Sequence, residues 1–494
     1  MTKHEVVIAG GGPTGMMLAA ELTLADVDVA IVERLAKNES LGGSRGAGLH
    51  ARTLEVFAQH GIVDRFLTEG QKAQTVHFAA VLDISDFPTR HNHGLGLWQN
   101  HTERIMRGWV DELKVPIYRG RSVTGFAQDE AGVDVEVSDG PPLRAEYLVG
   151  CDGGRSVIRK AAGIEFAGWD ASTSWLKAEA EVSEEPKLGF HQDAAIGRVN
   201  YEIRDGKVIY SDRGPVGIVL KERQVGHADE PTLRDVSEAL IAIYGTDFGI
   251  HSPTWISRFT DMARQAVSYR DRRVLLAGDA AHVHAPMGGQ GLNTGVQDAV
   301  NLGWKLAQVV KGTSPESLLD TYHTERHPIA ARVLRTTMAL VALQRTDDRT
   351  KALNEILSEM VTLDEPRQRL AAEMSGLGLH YDLGEGHPLL GRRMPDLDLM
   401  TANGPMRVFS LLHRARPALL NFAEPSLDVR AWADRIQSID ASYSGAWELP
   451  AIGVVTPPTA LLVRPDGYVA WVGDHTQRGL TEALTTWFGP AASA

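Results

Sequence analysis

Short runs of β-branched and aliphatic residues, each stopping abruptly at a glycine or a charge, set the first pattern in the chain. Residues 5–9 (EVVIA) end at Gly10, and residues 28–33 (DVAIVE) form a second such run. Between them, residues 13–25 (PTGMMLAAELTLA) put Met17, Ala20 and Leu24 at helical spacing. Unalternated apolar runs of this length suit strands buried on both faces, so the opening predicts a βαβ unit of a doubly wound sheet. Two more runs of the same kind, YLVGCDGG (147–154) and RVLLA (273–277), predict that the sheet is completed far along the chain. Helical spacing returns near 101–113 and, at length, from 293 to about 377.

The intervening text changes character. TVHFAAV near 75 predicts a strand and HNHGLGLWQN a loop, while VPIYRG, RSVTGFAQD and GVDVEVSDG predict short strands of a small antiparallel excursion. Residues 173–270 alternate, and RVNYEIRDGKVIYSD carries an Asp-Gly hairpin signal. GEGHPLLGRRMPDLDL, rich in Gly and Pro, predicts a linker, and the text beyond it a small α/β unit. The expected architecture is α/β. A discontinuous Rossmann-like domain (1–74, 100–172 and 271–384) carries an inserted β-rich substrate domain (75–99 and 173–270), and a separate unit spans 385–494.

Length and charge narrow the partners. A chain of 494 residues exceeds what one hydrophobic core serves, which fits several domains and a large cofactor. The formal charge of −13 argues against nucleic acid or an anionic membrane surface and for a small-molecule partner. No run approaches the roughly 20 apolar residues of a membrane span, and the N-terminal apolar run is too short for a signal peptide. One cysteine, Cys151, excludes an intrachain disulfide and fits a reducing, cytoplasmic setting. A homodimer is left open.

The chemistry begins at Gly10, Gly12 and Gly15, a G-x-G-x-x-G turn that encloses Pro13 and Thr14. Bare glycines there let the backbone approach a pyrophosphate at a helix N-terminus. Glu33, eighteen residues after Gly15, ends the second strand where an acid accepts hydrogen bonds from a ribose. Arg34 beside it is either a 2'-phosphate partner or a solvated surface arginine. These residues predict a dinucleotide without separating NAD from FAD. His282 and His284, two residues apart, have no further ligands at useful spacing, so no metal site is expected.

CDGGRSVIR (151–159) and GDAAHVHAP (278–286) resemble the fingerprints of the FAD-dependent aromatic hydroxylases, the para-hydroxybenzoate hydroxylase type of flavin monooxygenase. SRGAGLHARTLEVFAQHGI, GGQGLNTGVQDAVNLGWKLA, LLDTYHTERHPIA and HPLLGRRMPDLDL resemble more narrowly the bacterial aromatic polyketide hydroxylases of angucycline, anthracycline and tetracycline type, with rifampicin monooxygenase a relative. The resemblance implies an FAD-binding domain and a C-terminal thioredoxin-like domain, here without redox cysteines. It implies FAD contacts by Arg45, Gln99, Val123, Asp152 and Asp279, the last on the ribityl chain. Pro286, Gly289, Gly291, Leu292 and Asn293 would lie against the flavin ring, with helix-start N–H groups facing its pyrimidine edge.

The implied activity uses NADPH or NADH as reductant and O2 as co-substrate. A C4a-hydroperoxyflavin would hydroxylate a polycyclic aromatic, phenolic polyketide in antibiotic biosynthesis. An antibiotic-modifying enzyme, a Baeyer-Villiger-type monooxygenase and a non-catalytic flavin-binding protein remain alternatives. His50 is either the base for the phenolic proton or a packed histidine, and Arg155 and Arg159 either an anion site or helix-start ion pairs. Trp98, Trp175, Phe190, Tyr201 and Tyr210 are candidates for the wall of an apolar substrate pocket.

Overall fold

The computed structural model describes residues 2–36, 47–191, 193–204, 207–211, 213–225, 229–474 and 477–492, with backbone alone for 47, 201–204 and 207–210. Arg45 lies outside these residues, as do the side chains of Tyr201 and Tyr210.

The N-terminal apolar run forms the strand Thr2–Ala9, in which Val6, Val7 and Ile8 are fully buried. It pairs in parallel with Val29–Glu33 on one side and with Leu143–Gly150 on the other. Outward from these lie Ile117–Arg119 on the first side and Val274–Leu276 on the second, both parallel. The chain leaves Thr2–Ala9 in one direction and returns in the other, so the strand order reverses at Gly10. That crevice is where doubly wound sheets bind ligands. Val123–Gln128 and Val133–Val137 hang from Leu143–Gly150 as the antiparallel excursion. The helix Pro13–Leu24 packs against the long helix Gln290–Val310.

Residues 75–99 behave differently from expectation. HNHGLGLWQN contains the strand Gly94–Trp98, and the helix Gln99–Glu112 starts at its end. Leu95 and Leu97 point inward, but Gly94 and Gly96 between them are poor strand formers that disguise the alternation. The hairpin Thr75–Phe78 and Ala80–Asp83 packs on the helix Asp364–Ser375, with Leu82, Ala371 and Ala372 in one small core. Neither piece joins the β-rich insertion, which corrects the placement of 75–99 there.

That insertion contains a five-stranded antiparallel sheet in the order Gly189–His191, Ala194–Arg198, Val216–Lys221, Ser174–Glu181, His251–Thr260. One face buries Leu176, Ala178, Ile218 and Leu220 against Val236 and Leu240 of the helix Leu233–Tyr244. Its other face is turned to the crevice. Near the C terminus a six-stranded sheet is antiparallel except where Ala418–Asn421 meets Gln437–Ser442.

The C-terminal unit is fixed to the rest by buried charge. Arg464 donates to both oxygens of Glu325, at 2.7 and 2.9 Å, and to Asp466. Lys305 Nζ donates to Glu325 and to Asn301 Oδ1, each at 2.9 Å. The Arg464 guanidinium also sits 4.6 Å from the Trp487 ring. Burial alone would raise the Glu325 carboxyl, but Arg464 and Lys305 hold it at about 2. Removing one member of such a cluster leaves an uncompensated buried charge, which costs about 3–5 kcal/mol. Glu325→Gln is therefore expected to lower the thermal midpoint and to open the 384–398 segment to protease. Unchanged melting and digestion would contradict this docking role.

Candidate functional site

A continuous cavity of about 1740 Å3 runs from the Gly10–Thr14 turn to the open face of the five-stranded sheet. Drug-sized pockets occupy about 300–1,000 Å3, so this one has room for a dinucleotide and a second planar molecule.

Backbone makes the first end. Gly10, Gly12, Pro13 and Thr14 line it, and at Gly12 nothing lies within 4 Å of where a Cβ would stand. Gly15 sits behind the turn, where a methyl group would collide with the Gly10 carbonyl oxygen. Glu33 is nearly buried, its carboxylate accepting from the N–H of Gly11 at 2.7 Å and of Leu35 at 2.8 Å. Each oxygen keeps a second acceptor site. Exposed Arg34, with Gln99 and Val123, also lines this end. Gln99 is oriented by its donation to Glu103 at 2.7 Å.

Asp152 shows what the cavity demands. Its Oδ2 accepts from Val157 N at 2.6 Å and Ile158 N at 3.2 Å, while Oδ1 is buried with no partner among the described residues. Thr102 Oγ1, on a residue that also lines the cavity, is buried and unpartnered as well. Buried polar atoms are rarely left so, and a polar ligand would satisfy both. The bare turn, the acid on the second strand and these orphaned atoms fit FAD.

The stretch 278–293 makes the middle. Asp279 is exposed toward the cavity at the end of Val274–Leu276, and Pro286, Gly289, Gly291 and Leu292 also line it. Gly288 and Gly289 take φ of +70° and +64°, a consecutive left-handed pair that turns the chain into the helix Gln290–Val310. The first-turn N–H groups of Gln290, Gly291 and Leu292 have no carbonyl within the helix to receive them, and no side chain caps this end. They leave a region of positive potential at the cavity wall that Gly291 and Leu292 line. Asn293 does not line the cavity. It is buried, accepting from His50 N at 2.8 Å and donating to Gly289 O at 2.7 Å, so it braces the loop.

His50 does not line the cavity either. Its Nε2–H donates to Gly288 O at 2.9 Å, and burial pushes the imidazole down to about 4. A neutral ring engaged in this way positions the loop and is not poised to take a phenolic proton. His282 is fully buried, 2.7 Å from Asp298 Oδ2, while His284 Nδ1–H donates to Ala285 O at 2.7 Å and the ring lines the cavity. The anion-site alternative fails for Arg159, whose guanidinium donates to Ala280 O and Gly154 O and stacks 3.7 Å over Phe166. Arg155 is exposed and lines the cavity. Cys151 lies beneath the turn, its thiol pushed up by burial.

Side chains make the far end. Trp175 and Phe190 line it as expected, whereas Trp98 does not. Lys177, Trp255, Ser257 and Phe259 also line it but escaped the sequence reading. The period-two spacing of 175/177 and 255/257/259 was the available signal.

Comparison with known proteins agrees with this geometry. Residues 3–337 match the family described as "FAD binding domain", and residues 387–491 the one described as "Aromatic-ring hydroxylase, C-terminal". The chain belongs to the FAD-binding aromatic-ring hydroxylases. Among its relatives is the 12-dehydrotetracycline 5-monooxygenase/anhydrotetracycline 6-monooxygenase of Streptomyces rimosus subsp. rimosus, 42% identical over 99% of this chain and 100% of that one. Another is the rifampicin monooxygenase of Streptomyces venezuelae, 41% identical over 99% of each. The solved structure of the anhydrotetracycline hydroxylase OxyS from Streptomyces rimosus superposes with a TM-score of 0.87 at 41% identity, over 99% of this chain and 100% of that one.

Two outcomes are expected. Gly15→Ala forces the turn apart, so the purified variant should retain less than about a tenth of the wild-type flavin, read from visible absorbance. Between pH 6.5 and about 4 the unfolded chain takes up a proton at His50 that the folded chain refuses, so stability falls as pH drops through that window. His50→Gln removes this share. On going from pH 7.5 to 5.5 the wild type should lose about 1 kcal/mol more than the variant, checked by paired denaturation curves. Parallel losses in both proteins would overturn the His50 assignment.

Proposed function

We infer that the protein hydroxylates a planar, polycyclic phenol of aromatic polyketide type, using NADPH or NADH and O2. The observation that carries this reading is the single cavity that joins a backbone-built dinucleotide end to an aromatic-walled end across the 286–292 loop. FAD, when bound, supplies the redox chemistry: acceptance of hydride from a reduced nicotinamide and activation of O2.

The chain's own work is binding and orientation. The Gly10–Thr14 turn and the start of the helix Pro13–Leu24 take the pyrophosphate, Glu33 a ribose and Asp279 the ribityl chain, with Gln99, Val123 and Asp152 completing the cofactor end. Pro286, Gly289, Gly291 and Leu292 hold the ring edge, while His50 and Asn293 keep that loop in place. The sheet face and the flavin edge enclose the substrate and keep water from the reacting carbon.

We read 385–494 as a thioredoxin-like unit. The parallel pair Ala418–Asn421 and Gln437–Ser442, followed by the antiparallel strands Ala460–Val463 and Val469–Gly473, has the strand arrangement of that fold. Its role is structural, and the protein works in the cytoplasm. No helix of the described residues is long and apolar enough to cross a membrane.

The purified protein should be yellow or take up FAD. Its oxidation of reduced nicotinamide should rise at least about tenfold with a polycyclic phenol, giving a product heavier by one oxygen whose position NMR assigns. Flavin that loads but is reduced by neither nicotinamide, with phenols present, would sink this reading.

A further inference from the structure

The open face of the five-stranded sheet carries aromatic side chains at two separate places. Trp175 pairs with Phe259, and the two rings stack at 5.2 Å with 10° between their planes. Phe190 stands apart from them on the edge strand Gly189–His191, opposite Ala195, which in turn lies opposite Val219. Val219 pairs with Lys177, two residues from Trp175, so alternation puts Phe190, Ala195, Val219 and Trp175 on one face. All of them line the cavity. Three strand spacings, about 14 Å, separate the strand of Trp175 from that of Phe190. On the two strands between, Ala195 and Val219 leave a low apolar floor, bordered by Lys221 and Asp193 at 3.7 Å from one another.

Packing within the protein does not account for where Phe190 stands. Its side chain is 98% exposed, against 58% for Trp169 and 41% for Val157, the other exposed large apolar residues that line the cavity. The alanine opposite offers its ring almost nothing to lean on. None of the three residues of its strand is buried, so that strand widens the sheet without adding to the core beneath it. A lone apolar residue on a convex surface would need no explanation. Phe190 instead ends a floor that belongs to the cavity, and covering its ring is favourable in proportion to the apolar area removed from water. What covers it from inside the cavity is the far part of an occupant whose near part lies against Trp175 and Phe259.

We propose that Phe190 is a specificity-determining residue that selects substrates by length. The distal ring of a long planar polycycle packs on Phe190 while its proximal rings lie against the Trp175–Phe259 pair. A two-ring phenol held by that pair falls short of Phe190 and gains nothing from it. This assignment rests on the hydroxylase reading of the cavity and adds the residue that measures the far end of what it binds.

The test is equilibrium titration of FAD-loaded protein with 6-hydroxytetracene-5,12-dione, which has four linearly fused rings, and with 1-naphthol, which has two. Wild type should bind the four-ring ligand more tightly. Phe190→Ser should weaken the four-ring ligand about tenfold and change 1-naphthol less than about twofold, while Phe190→Tyr keeps the wild-type preference. Because the ring is exposed, both variants should keep wild-type flavin content and sedimentation. Equal effects on the two ligands, or none on the four-ring one, would overturn the role of Phe190 while leaving the cavity's aromatic function intact. Slower sedimentation of Phe190→Ser with unchanged four-ring affinity would assign the ring to a contact between copies and overturn it equally. Failure of both ligands to bind the FAD-loaded wild type would overturn the proposal together with the polycyclic reading beneath it.

Discussion

One fully buried carboxylate, Asp298, holds the catalytic half of the molecule in register. It accepts from the Gly278 N–H at 3.1 Å, from His282 at 2.7 Å and from Arg326 Nε at 2.7 Å. Burial alone would raise its pKa, yet Arg326 and His282 hold it below the usual carboxylate range, so the charge persists in the core. Arg326 reaches on to Thr294 O and the Tyr381 hydroxyl, and its neighbour Glu325 anchors Arg464. A strand end, a loop, two helices and the C-terminal sheet are thus joined through two adjacent residues. Such a network contributes little net stability against an apolar alternative, but it admits few competing arrangements. That suits a loop that leads into an uncapped helix start at the cavity wall.

The two ends of the cavity are built from different materials. The cofactor end consists largely of backbone, glycine and a few acids, so side-chain replacement elsewhere leaves its shape alone. The sheet face consists of side chains at alternate positions, whose replacement alters the wall without disturbing the ladder beneath. Members of one family can therefore share a cofactor and differ in what they oxidise.

Legibility in the sequence follows the same division. The βαβ opening, the glycine turn and Glu33 were readable because buried parallel strands and close backbone approach leave a local signature. The strand Gly94–Trp98 was not, since glycine supplied two of its five residues. Nor was the seat of the 75–83 hairpin, which depends on a helix almost 300 residues later. Arg159 suggested an anion and instead serves two carbonyls, because a sequence shows a charge but not the acceptors that surround it. The partner of His50, Gly288 O, likewise lies across the fold. Lys177 and Trp255 went unnoticed because strand pairing, not proximity in sequence, makes them neighbours.

The thiol beneath the nucleotide turn bears on the enzyme's endurance. A protein that brings electrons and oxygen together releases some hydrogen peroxide whenever the two partners fall out of step, and protein thiolates are its readiest victims. This chain has one cysteine, and burial holds it in the unreactive protonated form under the turn. Its own by-product therefore meets neither a ready thiolate nor a pair of cysteines to crosslink.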